Sequence, residues 1–200
     1  MTRKPHDFKL WIACQKAIGA THLFLAVEES PDVVQACKKP EFHNFVTLKP
    51  VAPSHNPYDT VIDRQERHIA WALDMCKKMQ IDWLFHLDDD ELLHFESSWE
   101  SIAAKIPTHV DCLVINNVEA VPDDSTADFS CIRRFAVVQD AFLSYVNGKS
   151  AGRVGRAEQC GPHRFTGEEY LVSLEDAMIL HFESCPFRYA MHRIQQPMDS

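Results

Sequence analysis

The spacing of apolar positions along the chain predicts three helices. Apolar residues at helical spacing run through residues 8–18 and end at Gly19, a residue type that commonly stops helices. The longest helix is predicted over residues 59–79, and a short one over residues 99–106, closed by Pro107. The apolar stripe of the longest helix consists of Ile62, Ile69, Leu73 and Cys76.

Shorter apolar runs between these helices predict buried strands. They extend over residues 22–27, 45–48, 83–87, 112–116 and 177–182. Residues 131–138 fit either a strand or a helix, and residues 147–155 fit either a turn or a strand. Residues 28–32, 51–57 and 121–128 are rich in turn-forming or polar residues and are predicted to be turns or loops.

The alternation of helices with short apolar strands indicates an α/β fold. We expect a mainly parallel sheet with helices on both faces. No repeat, linker or charge run divides the sequence, so residues 1–200 are predicted to form a single domain. Ligands of such sheets bind beyond the carboxyl ends of the strands. The residues that directly follow the predicted strands are therefore the first candidates for a functional site.

The composition narrows the classes of function. Hydrophobic residues make up 46% of the chain, as in ordinary globular domains. The formal net charge of -9 argues against general nucleic-acid binding, which uses an excess of Lys and Arg. No apolar stretch reaches the roughly 20 residues of a membrane span, and the N-terminus lacks the apolar region of a signal peptide. The seven cysteines form no CxxC pair, so we expect reduced thiols in a cytoplasmic protein.

An acidic run directly follows the predicted strand at residues 83–87. Asp88, Asp89, Asp90 and Glu91 repel one another, and a bound cation is a physical reason to keep them together at a strand end. Oxygen ligands suit Mg²⁺ or Mn²⁺, whose remaining ligands can come from substrate phosphates. The alternative is a solvated acidic turn that binds nothing.

Other polar residues that could bind a ligand or take part in catalysis lie near the later strands. His181 ends an apolar strand, where its imidazole either completes a metal site or has a structural role. Lys149 and Arg153 lie in a glycine-containing segment and suit a diphosphate, with an ordinary basic loop as the alternative. His163 either lines the acceptor pocket or caps a turn. The candidate catalytic bases, each with a solvated surface position as its alternative, are Glu119, Asp123, Asp124, Glu175 and Asp176.

Several short motifs occur in a consistent order along nearly the whole chain. The segment at residues 83–93, WLFHLDDDELL, contains a D-x-D-E pattern after a strand. The other motifs are Trp11-Ile12-Ala13, Ala17-Ile18-Gly19, Ser30-x-Asp32, Gly148-Lys149 with Arg153, His163, and Ile179-Leu180-His181-Phe182. Together they resemble the GT-A glycosyltransferases of the family 2-like and family 92-like group. The chain also resembles the capsid-glycosylating transferases of large algal viruses.

This resemblance implies a Rossmann-like GT-A fold and a metal-dependent glycosyltransferase. Such an enzyme would move a sugar from a nucleoside diphosphate donor, expected to be a UDP-sugar, to a hydroxyl of a glycan or protein-linked glycan, with inversion. The implied ligands of Mn²⁺ or Mg²⁺ are Asp88, Asp90 and His181. The implied donor-binding residues are Asp88, Lys149, Arg153 and His163. Among the candidate bases, the preferred ones are Glu119 and Asp124.

The chain departs from that group at its N-terminus. The group's first strand, which ends in an R/K-N-E segment, lies before the tryptophan helix, and only residues 1–7 precede that helix here. We therefore expect this nucleotide-binding strand to be missing or truncated and recognition of the base to be altered. Two other functions fit the sequence: a metal-dependent nucleotidyltransferase, and a catalytically silent module that binds a nucleotide or a sugar.

Overall fold

The computed structural model of the chain describes residues 2–3, 8–51, 59–121, 132–142 and 146–182. Single-turn 3-10 helices lie at Pro40–Phe42 and Gln139–Ala141. The α-helices are α1 (Phe8–Ala17), α2 (Pro31–Cys37), α3 (Val61–Met79) and α4 (Trp99–Ala103). The strands are β1 (Thr2–Arg3), β2 (Leu23–Glu28), β3 (Val46–Val51), β4 (Trp83–Phe85), β5 (Glu91–Phe95), β6 (Cys112–Ile115), β7 (Asn117–Ala120), β8 (Phe135–Ala136), β9 (Lys149–Arg153), β10 (Gln159–Cys160), β11 (Arg164–Phe165), β12 (Glu169–Leu171) and β13 (Ala177–His181).

The described strands form three main sheets and one two-stranded ribbon. The first sheet has the order β1-β2-β3, the second β12-β6-β9-β4 and the third β5-β13-β7-β8, while β10 pairs with β11. The first sheet is parallel, whereas β9 runs antiparallel to both of its neighbours. Four of the nine described pairings are parallel. The mixed α/β class agrees with the prediction, but the expectation of a mainly parallel sheet is wrong, because apolar runs reveal burial and not strand direction.

One continuous stretch of chain joins the second and third sheets. Only Asn116 separates β6 from β7, so residues 112–120 belong first to one sheet and then to the other. The amide of Ile179 in β13 donates to the carbonyl oxygen of Asn116 at 2.9 Å. The chain passes between the same two sheets a second time, in the turn from β4 to β5. The acidic residues lie in that second passage.

The longest predicted helix is confirmed as α3, and it has clear start and stop signals. Thr60 and Asp63 form a reciprocal capping box, in which the amide of Asp63 donates to Oγ1 of Thr60 at 3.2 Å. The helix closes at Gln80, which adopts a left-handed conformation with φ of 56°. The predicted stripe is buried except at Ile62, which is 52% exposed, so the buried face begins later than predicted.

The sequence pattern does not predict α2 and β5. α2 begins at Pro31 in a segment predicted as a turn, because proline is typical both of turns and of the first helical turn. β5 begins at Glu91 within the acidic run, yet Glu91 is fully buried and Leu92 and Leu93 continue into the core. Burial of an acidic strand residue depends on distant partners, which a local pattern does not contain.

Helix α1 packs against the strand that follows the acidic turn. Trp11 and Ile12 of α1 pack in one apolar cluster with residues of β2, α2 and β5. The indole of Trp11 also donates to the carbonyl oxygen of Glu91 at 2.7 Å. The backbone at the start of β5 is therefore fixed by a buried aromatic side chain.

Three of the described cysteines agree with the expectation of core thiols, whereas Cys14 is half-buried. Cys37, Cys76 and Cys112 are buried free thiols, and burial raises the pKa of Cys76 to about 11. Cys160 is exposed.

Bilayer crossing needs a helix that is both long and strongly apolar, and the helices in the described ranges include none of that kind.

Candidate functional site

The acidic turn, residues 88–91, lies where the chain passes from the second sheet to the third. The amide of Glu91 donates to the carbonyl oxygen of Asp88 at 3.2 Å and closes the turn. The amide of Phe182 donates to the carbonyl oxygen of Asp90 at 2.9 Å. The turn is therefore fixed against the end of β13, the strand that ends in His181.

Lys149 is the buried counter-charge of the acidic turn. Its Nζ lies 2.5 Å from Oδ2 of Asp88 and 3.7 Å from Oε2 of Glu91, and its side chain is only 1% exposed. Gln65 of α3 donates to the second carboxylate oxygen of Asp88, Oδ1, at 3.1 Å. Both carboxylate oxygens of Asp88 therefore accept a hydrogen bond.

A glycine determines where Lys149 enters the site. Lys149 is the first residue of β9 and pairs with Ile115 at the end of β6. Gly148 precedes it with φ of +57°, and a Cβ at that position would lie 2.2 Å from the carbonyl oxygen of Ile115. Only glycine permits both the backbone conformation and this close approach.

Burial and charge shift the pKa values of the two acids in opposite directions. Burial, supported by the negative charge of Asp88, raises the pKa of Glu91 to about 8, although Lys149 opposes the shift. Burial also acts to raise the pKa of Asp88, but the charge and hydrogen bond of Lys149 outweigh it and lower that pKa to about 2. The surroundings therefore favour the ionised form of Asp88, which lies against the lysine, and disfavour ionisation of Glu91.

Two imidazoles lie beside Lys149. His86 donates from Nδ1 to the carbonyl oxygen of Pro162 at 2.7 Å, and His163 donates from Nδ1 to that of Gly148 at 3.0 Å. Burial and the positive charge of Lys149 lower the pKa of His86 to about 3 and also lower that of His163. Both rings are therefore neutral at pH 7. The structure brings the predicted donor-binding residues Lys149 and His163 to the same place.

His181 and Glu119 form a buried pair on the neighbouring strands β13 and β7. Nδ1 of His181 lies 2.8 Å from Oε2 of Glu119, and both side chains are 2% exposed. Burial acts to lower the pKa of His181, but the bond to Glu119 and the charge of Asp90 outweigh it, so the pKa is raised. The other oxygen of Glu119, Oε1, is buried and has no hydrogen-bond partner among the described residues.

The side chains at this junction are suited to a divalent cation, but they do not form a complete metal centre. Strand register places His181 between Glu91 on one side and Glu119 on the other. Carboxylates with one imidazole suit Mg²⁺ or Mn²⁺, and the unpartnered oxygen of Glu119 lies in this group. In the part of the chain that the structure describes, no three His, Cys, Asp or Glu side chains are yet arranged around one ion position.

The structure separates Arg153 from Lys149. Arg153 is the last residue of β9, where its guanidinium lies 4.4 Å from the centre of the Trp83 ring and its Nε donates to the carbonyl oxygen of Val110 at 2.8 Å. Four residues of extended strand span about 13 Å. The side chain of Arg153 packs against β4 and lines a cavity there, away from Lys149, and its contact with the donor stays a prediction.

The candidate bases have very different positions. Glu119 is buried and bonded to His181, so it faces the core and not solvent. Asp123 and Asp124 lie outside the described residues. Glu175 is exposed, and Asp176 forms an ion pair with Lys105 on the surface. Among the three of these acids that the structure describes, only Glu119 is placed with the predicted metal-binding residues.

Four polar residues near the site, His86 among them, are not marked by the sequence pattern. Gln65 contacts Asp88, but on α3 it resembles any surface glutamine. Glu28 and Arg64 form an ion pair of 2.9 Å at the end of β2, and Glu28 is buried. The position of Glu28 directly after an apolar run was the available signal, because strand ends are where ligands bind in such sheets.

A cavity of about 880 Å³ lies among α1, α3, β2 and β4 and reaches the acidic turn at Asp89. Nε2 of Gln15 and both ring nitrogens of His68 are buried there without a hydrogen-bond partner among the described residues. Burial and the nearby cations, Lys49 first among them, lower the pKa of His68 to about 4. The volume lies in the range of small-molecule pockets.

Two curated proteins of Arabidopsis thaliana, both named glycosyltransferase-like, are similar in sequence. One is 28% identical over 224 residues, which cover 86% of this chain and 43% of the relative. The other is 27% identical over 154 residues, which cover 62% of this chain and 34% of the relative. The chain thus spans less than half the length of the curated relatives it matches. No family model matches the chain.

These matches show that the chain is similar in sequence to proteins named glycosyltransferase-like.

A solved structure also matches, a protein named as a glucose-1-phosphate thymidylyltransferase from Bacillus anthracis in complex with sucrose. The identity is 8%, and the match covers 93% of this chain and 61% of that one with a TM-score of 0.36. A score this low carries no weight for fold or function.

Proposed function

We propose that this chain is a metal-dependent glycosyltransferase domain of the GT-A type. It would move the sugar of a UDP-sugar to a hydroxyl of a glycan or protein-linked glycan, with inversion at the anomeric carbon. The observation that carries the proposal is the meeting of the acidic turn, Lys149 and the His181–Glu119 pair at one junction of two sheets. The sequence similarity to glycosyltransferase-like proteins supports the same class.

The metal ion is proposed to be Mn²⁺ or Mg²⁺, held by Asp88, Asp90 and His181. When bound, it would stabilise the negative charge that develops on the leaving diphosphate. Glu119 fixes the ring of His181 through Nδ1, and Nε2 is the ring atom proposed to bind the metal. A carboxylate that orients a ligating imidazole in this way also makes it a better ligand.

The donor phosphates are proposed to lie beside Lys149. Its ammonium is already held next to Asp88, so a phosphate bound to the same metal would come within reach of a charge-assisted hydrogen bond. The neutral ring of His163 would form part of the pocket wall, because it is bonded to the neighbouring Gly148. The nucleotide base of the donor would be recognised by residues outside this group.

The catalytic base is assigned to Asp124, which stays a prediction outside the described residues. Glu119 is a poor base for an acceptor hydroxyl, since it is 1% exposed and bonded to His181. A base must come within hydrogen-bond reach of the hydroxyl that it deprotonates. We therefore propose that Glu119 positions the metal ligand and does not touch the acceptor.

Calorimetric titration of UDP and uridine, with and without Mn²⁺, tests the proposal. We expect UDP affinity to depend on Mn²⁺ and uridine affinity to be indifferent to it. Asp90→Asn should abolish the Mn²⁺ dependence and leave the melting temperature unchanged or higher, because one repulsive charge leaves the turn. Asp74→Asn, which removes an exposed acid of α3, is the matched control and should behave as the parent.

The same protein samples separate the competing functions. A glycosyltransferase should release UDP slowly from at least one UDP-sugar when Mn²⁺ is present. A nucleotidyltransferase should instead form or cleave a nucleoside triphosphate with release of pyrophosphate. A silent binding module should show no turnover, and absence of any metal-coupled nucleotide binding would reject the metal-dependent enzyme altogether.

A further inference from the structure

The ammonium of Lys149 occupies a position that a divalent cation would need. Nζ lies 2.5 Å from Oδ2 of Asp88, while Gln65 donates to Oδ1 of the same carboxylate. A metal ion would have to approach an Asp88 oxygen to about 2.1 Å. Two cations at such distances from one carboxylate repel each other strongly, particularly at a buried site.

The surroundings make Lys149 the dominant positive charge at this point. The residue is 1% exposed, and a buried ammonium is strongly unfavourable unless an acid compensates it. Asp88 supplies that compensation, and Glu91 lies 3.7 Å from Nζ. The imidazoles of His86 and His163 each donate to a backbone carbonyl oxygen. The remaining titratable groups near the turn lie on the side of β13. They are His181, Glu119 and Asp90.

We propose that Lys149 is an internal cation that closes the metal site until a nucleoside diphosphate arrives, so that metal and nucleotide bind cooperatively. The inference rests on the proposed function, because it assigns a regulatory step to the same site. A diphosphate offers the ammonium new anionic partners and offers the metal additional oxygen ligands. Both changes favour transfer of Asp88 from the lysine to the metal.

The backbone allows this exchange to be a side-chain movement. Gly148 is packed against the carbonyl oxygen of Ile115, so the start of β9 is fixed. The four-carbon stem of lysine has several rotatable bonds, and its ammonium can move by a few ångströms without any change in the strand. Release of Lys149 therefore requires no rearrangement of the sheets.

Metal binding to three proteins tests the proposal, with Mn²⁺ alone as the probe. The nucleotide-free parent should bind Mn²⁺ weakly, and Lys149→Met should bind it at least about tenfold more tightly, a coupling of ordinary size. Lys149→Arg keeps the positive charge and is the matched control, so its Mn²⁺ affinity should stay as weak as that of the parent. Addition of UDP should strengthen Mn²⁺ binding to the parent and have a much smaller effect on Lys149→Met.

A second measurement on the parent protein avoids any folding defect of the variants. Amine acetylation read by mass spectrometry should leave Lys149 unmodified without metal, since the side chain is buried. Saturating Mn²⁺ should make Lys149 reactive, and Mn²⁺ with UDP should protect it again.

The outcomes distinguish this proposal from the proposed function. If the parent binds Mn²⁺ with UDP, but Lys149→Met gains no Mn²⁺ affinity and Lys149 stays unreactive in Mn²⁺, the internal-cation role is wrong and the enzyme proposal stands. If no protein binds Mn²⁺ even with UDP, both proposals are wrong.

Discussion

The imidazole of His181 is hydrogen-bonded to the carboxylate of Glu119 at 2.8 Å, although the two residues are 62 positions apart in the sequence. Their strands, β13 and β7, run parallel and place them directly opposite each other. This bond fixes the ring and, with the charge of Asp90, keeps the pKa of His181 raised against the effect of burial. This geometry fits both a structural histidine and an oriented metal ligand. An experiment is needed to distinguish these two roles of His181.

The pH dependence of metal binding should separate these two roles. Ligation requires a neutral imidazole, and a raised pKa means that protons compete already at a pH above the ordinary histidine value. Mn²⁺ affinity in the presence of UDP should therefore fall as pH drops from 8 to about 6. Glu119→Gln removes the charge that holds the proton, so the decline should move to lower pH. An identical pH profile in the parent, Glu119→Gln and His181→Gln would show that His181 is not a ligand.

Gly148 offers a test of how strictly Lys149 is positioned. Gly148→Ala would place a Cβ 2.2 Å from the carbonyl oxygen of Ile115 at φ of +57°, and we expect a loss of about 2–4 kcal/mol in the free energy of unfolding. Gly155→Ala is the matched control, since its φ is +85° but nothing lies within 4 Å of the added Cβ. It should lose only about 1–2 kcal/mol. Denaturant unfolding measures both, and equal losses would contradict the close-packing explanation.

Arg153 should matter for stability and not for the donor. Arg153→Met removes the stacking on Trp83 and the bond to Val110, which we expect to lower the free energy of unfolding by about 1–2 kcal/mol. The affinities for UDP and for uridine should both stay at the parental level under metal-saturating conditions. A loss confined to UDP would restore the phosphate role that the sequence pattern predicts.

His68 should make the protein sensitive to mild acid. Its pKa is lowered to about 4 in the folded protein, chiefly by burial, while an unfolded histidine titrates near 6.5. Between these values the unfolded chain binds a proton that the folded chain does not, so stability falls as pH falls from 6.5 toward 4. The contribution lost on going from pH 7.5 to pH 5 is about 2 kcal/mol.

Thermal melting of His68→Leu checks this prediction. The variant should lose less stability than the parent between pH 7.5 and pH 5, whatever its absolute melting temperature. His109→Leu, at an exposed position, should keep the parental pH dependence. If His68→Leu and the parent decline in parallel, another group dominates the acid response.

The acidic turn could be predicted from the sequence because a strong local signal marks it, an apolar run that ends in four acids. The partner of Asp88 could not, because it depends on strand direction. β9 pairs antiparallel with β4, with Arg153 opposite Trp83 and Ala151 opposite Phe85. This direction brings Lys149 to the carboxyl end of β4 and leaves Arg153 at the other end. A parallel pairing would have exchanged the two cations, and the residue pattern is the same in both cases.

The burial of Glu91, Glu119 and His181 was also beyond local sequence reasoning. Glu119 and His181 lie in short apolar stretches, where a polar residue normally marks the solvent side of a strand, and Glu91 ends the acidic run. Their burial follows from a shared row across β5, β13 and β7, which supplies each polar group with neighbours from distant parts of the chain. Such a row can be recognised only when the order of the strands in the sheet is known.

Residues 112–120, which form β6 and β7 in one continuous stretch, affect how the second and third sheets unfold locally. Residues 112–120 supply ladder partners to both sheets without a flexible connection between them. Amides of β6 and β7 should therefore exchange with solvent deuterium together, in a single cooperative unit, because neither sheet can separate while the other keeps its central strand. We therefore expect ligands to enter and leave by movements of side chains and loops around a rigid floor that residues 112–120 form.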